Sequence, residues 1–202
     1  MTQPLPPISD EERELLAQAR QGDRQAFLKL IQPYHERVYA TAMRLLGNPE
    51  DAAEVTQEAL LRTFWSIQSF HGRAHFYTWL YRTALNLCYR RLSDTHAKIE
   101  RRSVSMDEPR ESDEGSPQEL AVPDRGSSPK EEFARREETE LVRKALTTLN
   151  KADFEILVLR EFEELSYDEI ARRLGIPRGT VMSRLHRARQ ALAARLKELG
   201  LA

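Results

Sequence analysis

Apolar residues recur at steps of three and four along most of this chain, which is the spacing of one buried face of an α-helix. One such series is Phe27, Ile31, Tyr34, Val38, Ala42 and Leu45. We expect that helix to end at Gly47-Asn48-Pro49, because glycine tolerates the terminal turn and proline cannot continue a helix. The same period predicts helices over 51–67, 78–92, 141–149 and 154–162. No segment alternates for long with the two-residue period of a strand, so the pattern predicts an all-α fold.

The residues from 98 to 136 differ in composition from the helical segments on either side. They contain Pro109, Gly115, Pro117, Pro123, Gly126 and Pro129, together with many serines and acidic residues. Such a composition buries too little apolar surface to offset the entropy that is lost on ordering. We therefore predict two small helical domains, residues 9–97 and 137–199, joined by a flexible acidic linker at 98–136.

A helix-turn-helix motif is predicted in the second domain. Ser166 and Glu169 have capping-box spacing, as do Ser9 and Glu12 at the start of the first domain. Gly175 suits the left-handed end of the first helix of the motif, and Pro177 suits the start of the second. The inward positions of the second helix are Val181, Leu185, Ala188 and Leu192, and its outer positions are Arg178, Met182, Ser183, Arg184, Arg187 and Arg189. Such a second helix can enter a DNA major groove.

The formal net charge of −1 conceals an uneven distribution of charge. Between Ile170 and Lys197 there are eight basic residues and no aspartate or glutamate. A helical hairpin with a solvated basic face would explain the charge alone, but the capping and turn residues favour a DNA-binding motif. By itself, a helix-turn-helix is compatible with a repressor, an activator, a recombinase or a sigma factor.

Catalytic and metal chemistry find little support in the residue pattern. Cys88 is the sole cysteine, which excludes an intramolecular disulfide and multi-cysteine zinc sites. The five histidines lack ligand spacing, and no serine or tyrosine has a recognisable nucleophile setting. We expect no cofactor, no metal and no enzymatic activity. Because no apolar run approaches about 18 residues and 1–10 lacks a signal-peptide core, we expect a cytoplasmic protein.

Two groups of motifs carry a resemblance to a known family. In the first domain they are DAAEVTQEALL at 51–61, FHG at 70–72 and FYTWLYR at 76–82. In the second they are LSYDEIA at 165–171, GIP at 175–177, GTV at 179–181 and SRL at 183–185. Together they resemble regions two and four of the extracytoplasmic-function (ECF) group of the sigma-70 family. The resemblance covers nearly all of the chain except its first residues and the linker.

The resemblance implies the partners and the residues that would contact them. Region two would bind core RNA polymerase through Asp51, Glu54, Gln57, Glu58 and Leu61. It would recognise and melt the minus-ten element through Phe70, Arg73, Phe76, Tyr77, Trp79, Arg82, Asn86 and Arg90, with Phe76 also expected in the core. Region four would read the minus-thirty-five element through Arg178, Thr180, Met182, Ser183, Arg184 and Arg187. Met182 stands where this group often has a basic residue.

The function implied is that of an alternative sigma factor, with core RNA polymerase and promoter DNA as partners. Many relatives are restrained by an anti-sigma factor, which is therefore an expected third partner. A free-standing helix-turn-helix transcriptional regulator is the alternative, in which the first domain would sense a signal or dimerise. That alternative requires a ligand pocket or a coiled coil, and the sequence shows neither.

Overall fold

The structure is a computed structural model that describes residues 9–70, 75–104 and 129–201. Within these residues the chain is helical and contains no strand, which confirms the predicted all-α class. The helices are α1 (Asp10–Arg20), α2 (Arg24–Leu46), α3 (Pro49–Ser66), α4 (Phe76–Val104), α5 (Pro129–Thr147), α6 (Lys151–Leu157), α7 (Tyr167–Leu174) and α8 (Arg178–Glu198). A 3-10 turn follows α3, and a π-helical turn continues α6. None of the described helices is long and apolar enough to cross a membrane.

Local side-chain bonds explain where the helices begin. The hydroxyl of Ser9 accepts from the backbone N–H of Glu12 at 3.0 Å, which confirms the predicted start of α1. The side chains of Asp23, Asn48 and Asn150 accept from the first turns of α2, α3 and α6 in the same way. Each cap satisfies backbone donors that have no partner inside the helix.

The first domain is a bundle of α1 to α4, and the periodic series of α2 forms much of its core. Phe27, Ile31, Val38, Ala42 and Leu45 are buried, whereas Tyr34 is partly buried. In the second domain α7 and α8 cross over a small core. Val181, Leu185 and Ala188 of α8 are buried there and Leu192 packs at its margin, as their spacing predicts.

The helices extend into the predicted linker from both sides. α4 continues to Val104, well past the predicted end at residue 92, and α5 begins at Pro129 rather than near residue 137. Residues 93–104 and 130–140 contain neither proline nor glycine, so each helix can propagate outward from its packed part. Proline at the first helical position loses no hydrogen bond. Residues 105–128 lie outside the described residues, and their flexibility stays a prediction.

The two domains also pack against each other, which the sequence pattern does not indicate. The hydroxyl of Tyr89 in α4 donates to the carbonyl oxygen of Leu149 at 2.8 Å, and its ring lies 5.3 Å from that of Phe154. On another side, Nε of Arg143 in α5 donates to the carbonyl oxygen of Leu45 at 3.0 Å. Buried residues from both domains therefore form one continuous core.

Gly47 ends α2 as predicted and also makes room for this interdomain contact. Its φ of 73° is in the left-handed region, and a Cβ at this position would overlap the guanidinium of Arg143. We expect Gly47→Ala to lower the free energy of unfolding by about 2–3 kcal/mol, from left-handed strain together with loss of the Arg143 hydrogen bond. Urea titration followed by circular dichroism measures this change.

Gly175→Ala is the matched control for that substitution. Gly175 has a similar φ of 66°, but nothing lies within 4 Å of where its Cβ would be. It should therefore show the backbone strain alone, about 1–2 kcal/mol. Equal destabilisation by the two substitutions would mean that the contact between Gly47 and Arg143 adds nothing to stability.

Candidate nucleic-acid interface

α7, the turn that follows it and α8 form the predicted helix-turn-helix. The hydroxyl of Ser166 accepts from the backbone N–H of Glu169, whose carboxylate accepts from the backbone N–H of Ser166 at 2.8 Å. These bonds complete the capping box. The hydroxyl of Ser166 also donates to the carboxylate of Glu169 at 2.7 Å, and this bond, together with the one from the Ser166 backbone N–H, lowers the pKa of Glu169. Gly175 takes the left-handed conformation that ends α7, and Pro177 precedes the first residue of α8. The residues from which the sequence predicts this motif therefore also stabilise it in the structure.

The basic residues on the outer face of α8 differ in whether an acidic side chain already pairs with them. Arg178 lies 3.7 Å from a carboxylate oxygen of Asp168, and Arg189 lies 2.6 Å from that of Glu161. The hydrogen bonds with Glu161 raise the pKa of Arg189. Within the described part of the chain, no acidic group lies at ion-pair distance from Arg184 or Arg187. These two guanidinium groups are therefore the ones available to an incoming polyanion.

The residues of α8 that are predicted to contact DNA differ in their exposure to solvent. Met182, Ser183 and Arg187 are exposed, while Thr180 and Arg184 are half-buried. Met182 exposes 52% of its surface, which makes it one of the large apolar side chains that face solvent. Such a side chain can contact the methyl group of thymine, but it carries no charge for a phosphate.

The aromatic residues predicted for the minus-ten element form the core of the first domain instead of an open platform. Phe70, Phe76 and Tyr77 are buried, and burial raises the pKa of Tyr77 well above its ordinary value. Trp79 is half-buried and stacks on Phe70, with ring centres 5.0 Å apart. The core position of Phe76 was expected. Those of Phe70 and Tyr77 were not, so this conformation offers neither ring to DNA. Arg73 lies outside the described residues.

The exposed part of the predicted minus-ten set lies along α4. Asn86 and Arg90 face solvent, and Thr83 between them and Trp79 is half-buried. Arg82 is exposed as well, but its Nε donates to a carboxylate oxygen of Glu155 in α6 at 2.6 Å. We refer to Trp79, Thr83, Asn86 and Arg90 as the α4 stripe. Asn86 and Arg90 of this stripe are accessible, whereas the neighbouring Arg82 is bonded to the second domain.

The predicted polymerase-binding residues share one face of α3. Glu54, Gln57 and Leu61 are exposed, while Asp51 and Glu58 are half-buried. Arg91 of α4 pairs with Asp51 at 3.3 Å and also with Glu54, and Arg62 pairs with Glu58 at 2.5 Å. These acidic groups therefore form a face that is already partly balanced by cations of the same domain.

Three further residues with a bearing on function escaped the sequence pattern. Trp65 is 72% exposed and lies one helical turn beyond Leu61, so the spacing of four could have extended the α3 face to include it. Glu163 and Arg173 are buried between the two domains. Nothing in the local sequence predicts that these two residues are buried, because charged residues in a helical segment usually face solvent.

In the described residues no group of three or more histidine, cysteine, aspartate or glutamate side chains is arranged to hold a metal ion. Burial raises the pKa of the Cys88 thiol to about 12, so this cysteine remains a protonated thiol at neutral pH.

Comparison with known proteins identifies the family. The sequence matches Sigma-70 region 2 over residues 30–97 and Sigma-70 region 4 over residues 139–192. It is 30% identical to the ECF RNA polymerase sigma factor SigW of Bacillus subtilis, over 93% of this chain and 97% of SigW. It is 32% identical to the RNA polymerase sigma-H factor of Pseudomonas aeruginosa, over 94% of this chain and 96% of that factor.

A solved structure shares the fold as well. CnrH, in its complex with the cytosolic domain of CnrY, superposes with a TM-score of 0.51 at 26% identity, over 94% of this chain and 99% of CnrH. The matched regions follow each other in the order that the motifs predict, and the α3, α4 and α8 surfaces fall within them. The chain belongs to the extracytoplasmic-function group of the sigma-70 family of RNA polymerase sigma factors.

Proposed function

We propose that this sigma factor binds core RNA polymerase through the α3 face and directs it to promoters that α8 and α4 recognise. The observation that carries the proposal is the pairing, on one chain, of a helix-turn-helix with two unpaired arginines and a separate acidic helix face. A DNA-binding motif by itself would need no such second surface. Two surfaces of opposite charge suit a protein that bridges DNA and a basic partner.

The α8 helix would read the minus-thirty-five element in the major groove. Arg184 and Arg187 are free of acidic partners in the described residues, and either can bond two acceptors of guanine at once. Arg178, Thr180 and Ser183 stand at the start of the same helix, where side chains and backbone N–H groups approach phosphates. Met182 would contribute apolar contact rather than charge.

The α3 face would grip the polymerase clamp. Its acidic groups, among them Glu54 and Glu58, suit a basic partner surface, and Leu61 supplies an apolar contact in their midst. Gln57 completes the face with a side chain that both donates and accepts hydrogen bonds. Arg91, which pairs with Asp51 and Glu54, already orients these carboxylates in the free chain. Side chains held in place lose less entropy when a partner binds.

The α4 stripe would follow a separated strand of the minus-ten element. Unstacking a base costs a few kcal/mol, and stacking on an aromatic ring returns about 1–3 kcal/mol per base. Trp79 supplies the partly exposed ring in the described residues of this stripe, and Asn86 and Arg90 offer hydrogen bonds and charge beside it. Arg82 joins them once its bond to Glu155 is released.

The protein would act by binding and positioning in the cytoplasm, not by catalysis. An anti-sigma factor is proposed as a third partner, because the resemblance to this group implies one and because CnrH, which shares the fold, forms a complex with another protein, the cytosolic domain of CnrY. The free-standing regulator is not favoured, because both surfaces fall within the matched sigma-70 regions.

The proposal is tested by asking whether specific DNA binding depends on polymerase. Transcripts made in vitro with core polymerase and genomic fragments, once sequenced, identify the promoters. On such a promoter we expect little specific affinity in gel shifts with the protein alone, and open complexes when core enzyme is added. In the free chain the two domains pack against each other, and Arg82 of the α4 surface is bonded to Glu155 of the second domain. Bound polymerase would instead hold the domains at the separation of the two promoter elements. Tight, specific duplex binding without polymerase would overturn the proposal.

A further inference from the structure

Trp65 is a large aromatic side chain that faces solvent near the C-terminal end of α3. It is 72% exposed, whereas the preceding Phe64 packs against Phe27 in the first domain, with ring centres 5.0 Å apart. A tryptophan ring can bury a large apolar area against a partner, and here that area lies in water. The motif at 51–61, on which the resemblance to sigma-70 region two partly depends, ends before Trp65. The resemblance therefore implies no contact for this residue.

Trp65 and Leu61 form one apolar strip on α3. They are four residues apart, so their side chains are neighbours on one side of the helix. Both are exposed, Leu61 by 43%. Gln57, one turn before Leu61, is exposed as well and belongs to the proposed polymerase-binding face. The apolar strip is therefore continuous with that face and lengthens it by one turn.

The exposed side of α3 changes from acidic to apolar along the helix. Glu54 and Glu58 lie in its first half, and no acidic residue follows Glu58 within α3. Arg62 pairs with Glu58 at 2.5 Å, next to the apolar strip. At 1.5 Å per residue, Trp65 lies about 16 Å from Glu54 along the helix axis. A partner that matches the whole surface must present a basic area and an apolar pocket at that separation.

An open hollow adjoins the C-terminal end of the apolar strip. Gln68, three residues after Trp65, lines it together with Ala17, Arg20 and Gln21 of α1, and its volume is about 450 Å³. A protruding ring beside a concave surface lets a partner pack around the ring instead of touching only its edge. Well-packed sites of this kind are where binding energy concentrates in protein interfaces.

We propose that Trp65 is the apolar anchor of the polymerase interface, and that its ring enters an apolar pocket of core polymerase beside the basic area that meets Glu54 and Glu58. This proposal rests on the function proposed above and adds to it the residue that supplies most of the affinity. Tryptophan is enriched among the few interface residues that dominate binding energy, and polar neighbours exclude water around them. Charged groups at the rim set mainly the association rate, so Trp65 sets the lifetime of the complex.

The test measures the association and dissociation rates of the full-length chain with immobilised core polymerase. Trp65→Ala should weaken binding roughly 30-fold, which corresponds to about 2 kcal/mol, mainly through faster dissociation. Trp65→Phe should lose less, because the smaller ring keeps part of the apolar area. The effect of Trp65→Ala should persist at high salt, since burial of apolar surface is not screened. The effect of Glu54→Lys with Glu58→Lys should instead fall as salt rises.

Phe133→Ala is the matched control for the loss of an exposed aromatic ring. Phe133 is 63% exposed and belongs to α5, outside the α3 face and the apolar strip, so this variant should bind polymerase normally. Trp65→Ala should keep the melting temperature of the unsubstituted chain, measured by circular dichroism, because a mostly exposed side chain contributes little to the core. A loss of stability that accounted for the loss of binding would overturn the anchor.

Burial of the ring in the complex is measured directly with 5-hydroxytryptophan, introduced at position 65 alone through an amber codon. It can be excited at wavelengths where ordinary tryptophans of the polymerase absorb little. Acrylamide should quench its emission strongly in the free chain and weakly in the complex. An equally accessible ring in the complex, or normal binding by Trp65→Ala, would overturn the proposal.

Two further outcomes separate this inference from its alternatives. If sedimentation showed that the free chain dimerises and that Trp65→Ala abolishes the dimer, the apolar strip would bind a second copy and the anchor would be overturned. If Trp65→Ala alone bound normally, the anchor would fail while the proposed function stood. Normal binding by both Trp65→Ala and the Glu54 and Glu58 double variant would overturn the α3 contact with polymerase as well.

Discussion

Replacing Arg184 and Arg187 together with alanine is expected to lower transcription from cognate promoters roughly 30-fold or more. Each arginine that bonds a guanine in two places contributes about 1–3 kcal/mol of discrimination, and the two sites lie one turn apart on α8. Neither guanidinium has an acidic partner in the described residues, so both should be free to meet DNA. The measurement is in vitro transcription with core polymerase on promoters with intact or scrambled upstream elements.

The loss should be confined to promoters that depend on the upstream element. Arg189→Ala combined with Arg195→Ala is the matched control, because it removes two arginines of α8 that pair with Glu161 and Glu198. That control should change transcription little, since the removed charges are already balanced within the domain. Unaltered promoter selection in the Arg184 and Arg187 double variant would refute the assignment of α8 to the minus-thirty-five element.

Charge reversal at Glu54 and Glu58 is expected to weaken binding to core polymerase by about 30-fold or more. Like charges at a protein interface cost several kcal/mol, and the lysines would then face the basic partner surface that we propose for the polymerase. Within the chain the change breaks only exposed pairs with Arg91 and Arg62, which contribute little to folding. Binding is measured by fluorescence anisotropy of the labelled sigma factor titrated with core enzyme.

Reversal of Glu14 and Glu36 provides the matched control for that experiment. Both residues are exposed on other helices, and their reversal changes the net charge by the same amount. We expect this control to bind polymerase normally and to form open complexes. If both double variants lost binding equally, the effect would reflect net charge, and α3 would not be the contact surface.

Local sequence determined most of the secondary structure and the helix-turn-helix. The apolar period of α2, the cap at Ser9, the left-handed Gly47 and the box of Ser166 with Glu169 each depend on residues within one or two turns. Such signals act before any tertiary contact forms, and they can be found in a single sequence. The family could likewise be suggested from the sequence, because the motifs of region two and region four occur in that order on either side of the predicted linker.

The lengths of α4 and α5 were harder to predict from the sequence. The change in composition by which we placed the linker begins within residues that still lack proline and glycine. The predicted linker boundary therefore lies before the residue at which α4 ends. Helix propagation costs little once a packed turn exists, and the structure therefore carries α4 to Val104. Composition measures an average over a window, whereas a helix ends at a particular residue.

Only the tertiary structure decided which polar and aromatic groups are buried between the domains. Glu163 is typical of a solvated acid by its local sequence, and its partners Arg37 and Thr41 are typical of an exposed helix face. Tyr77 was expected to face DNA, yet it lies beneath Arg173. Burial of such groups depends on charge and hydrogen bonding with residues more than 90 positions away, and helical periodicity carries no information over that distance.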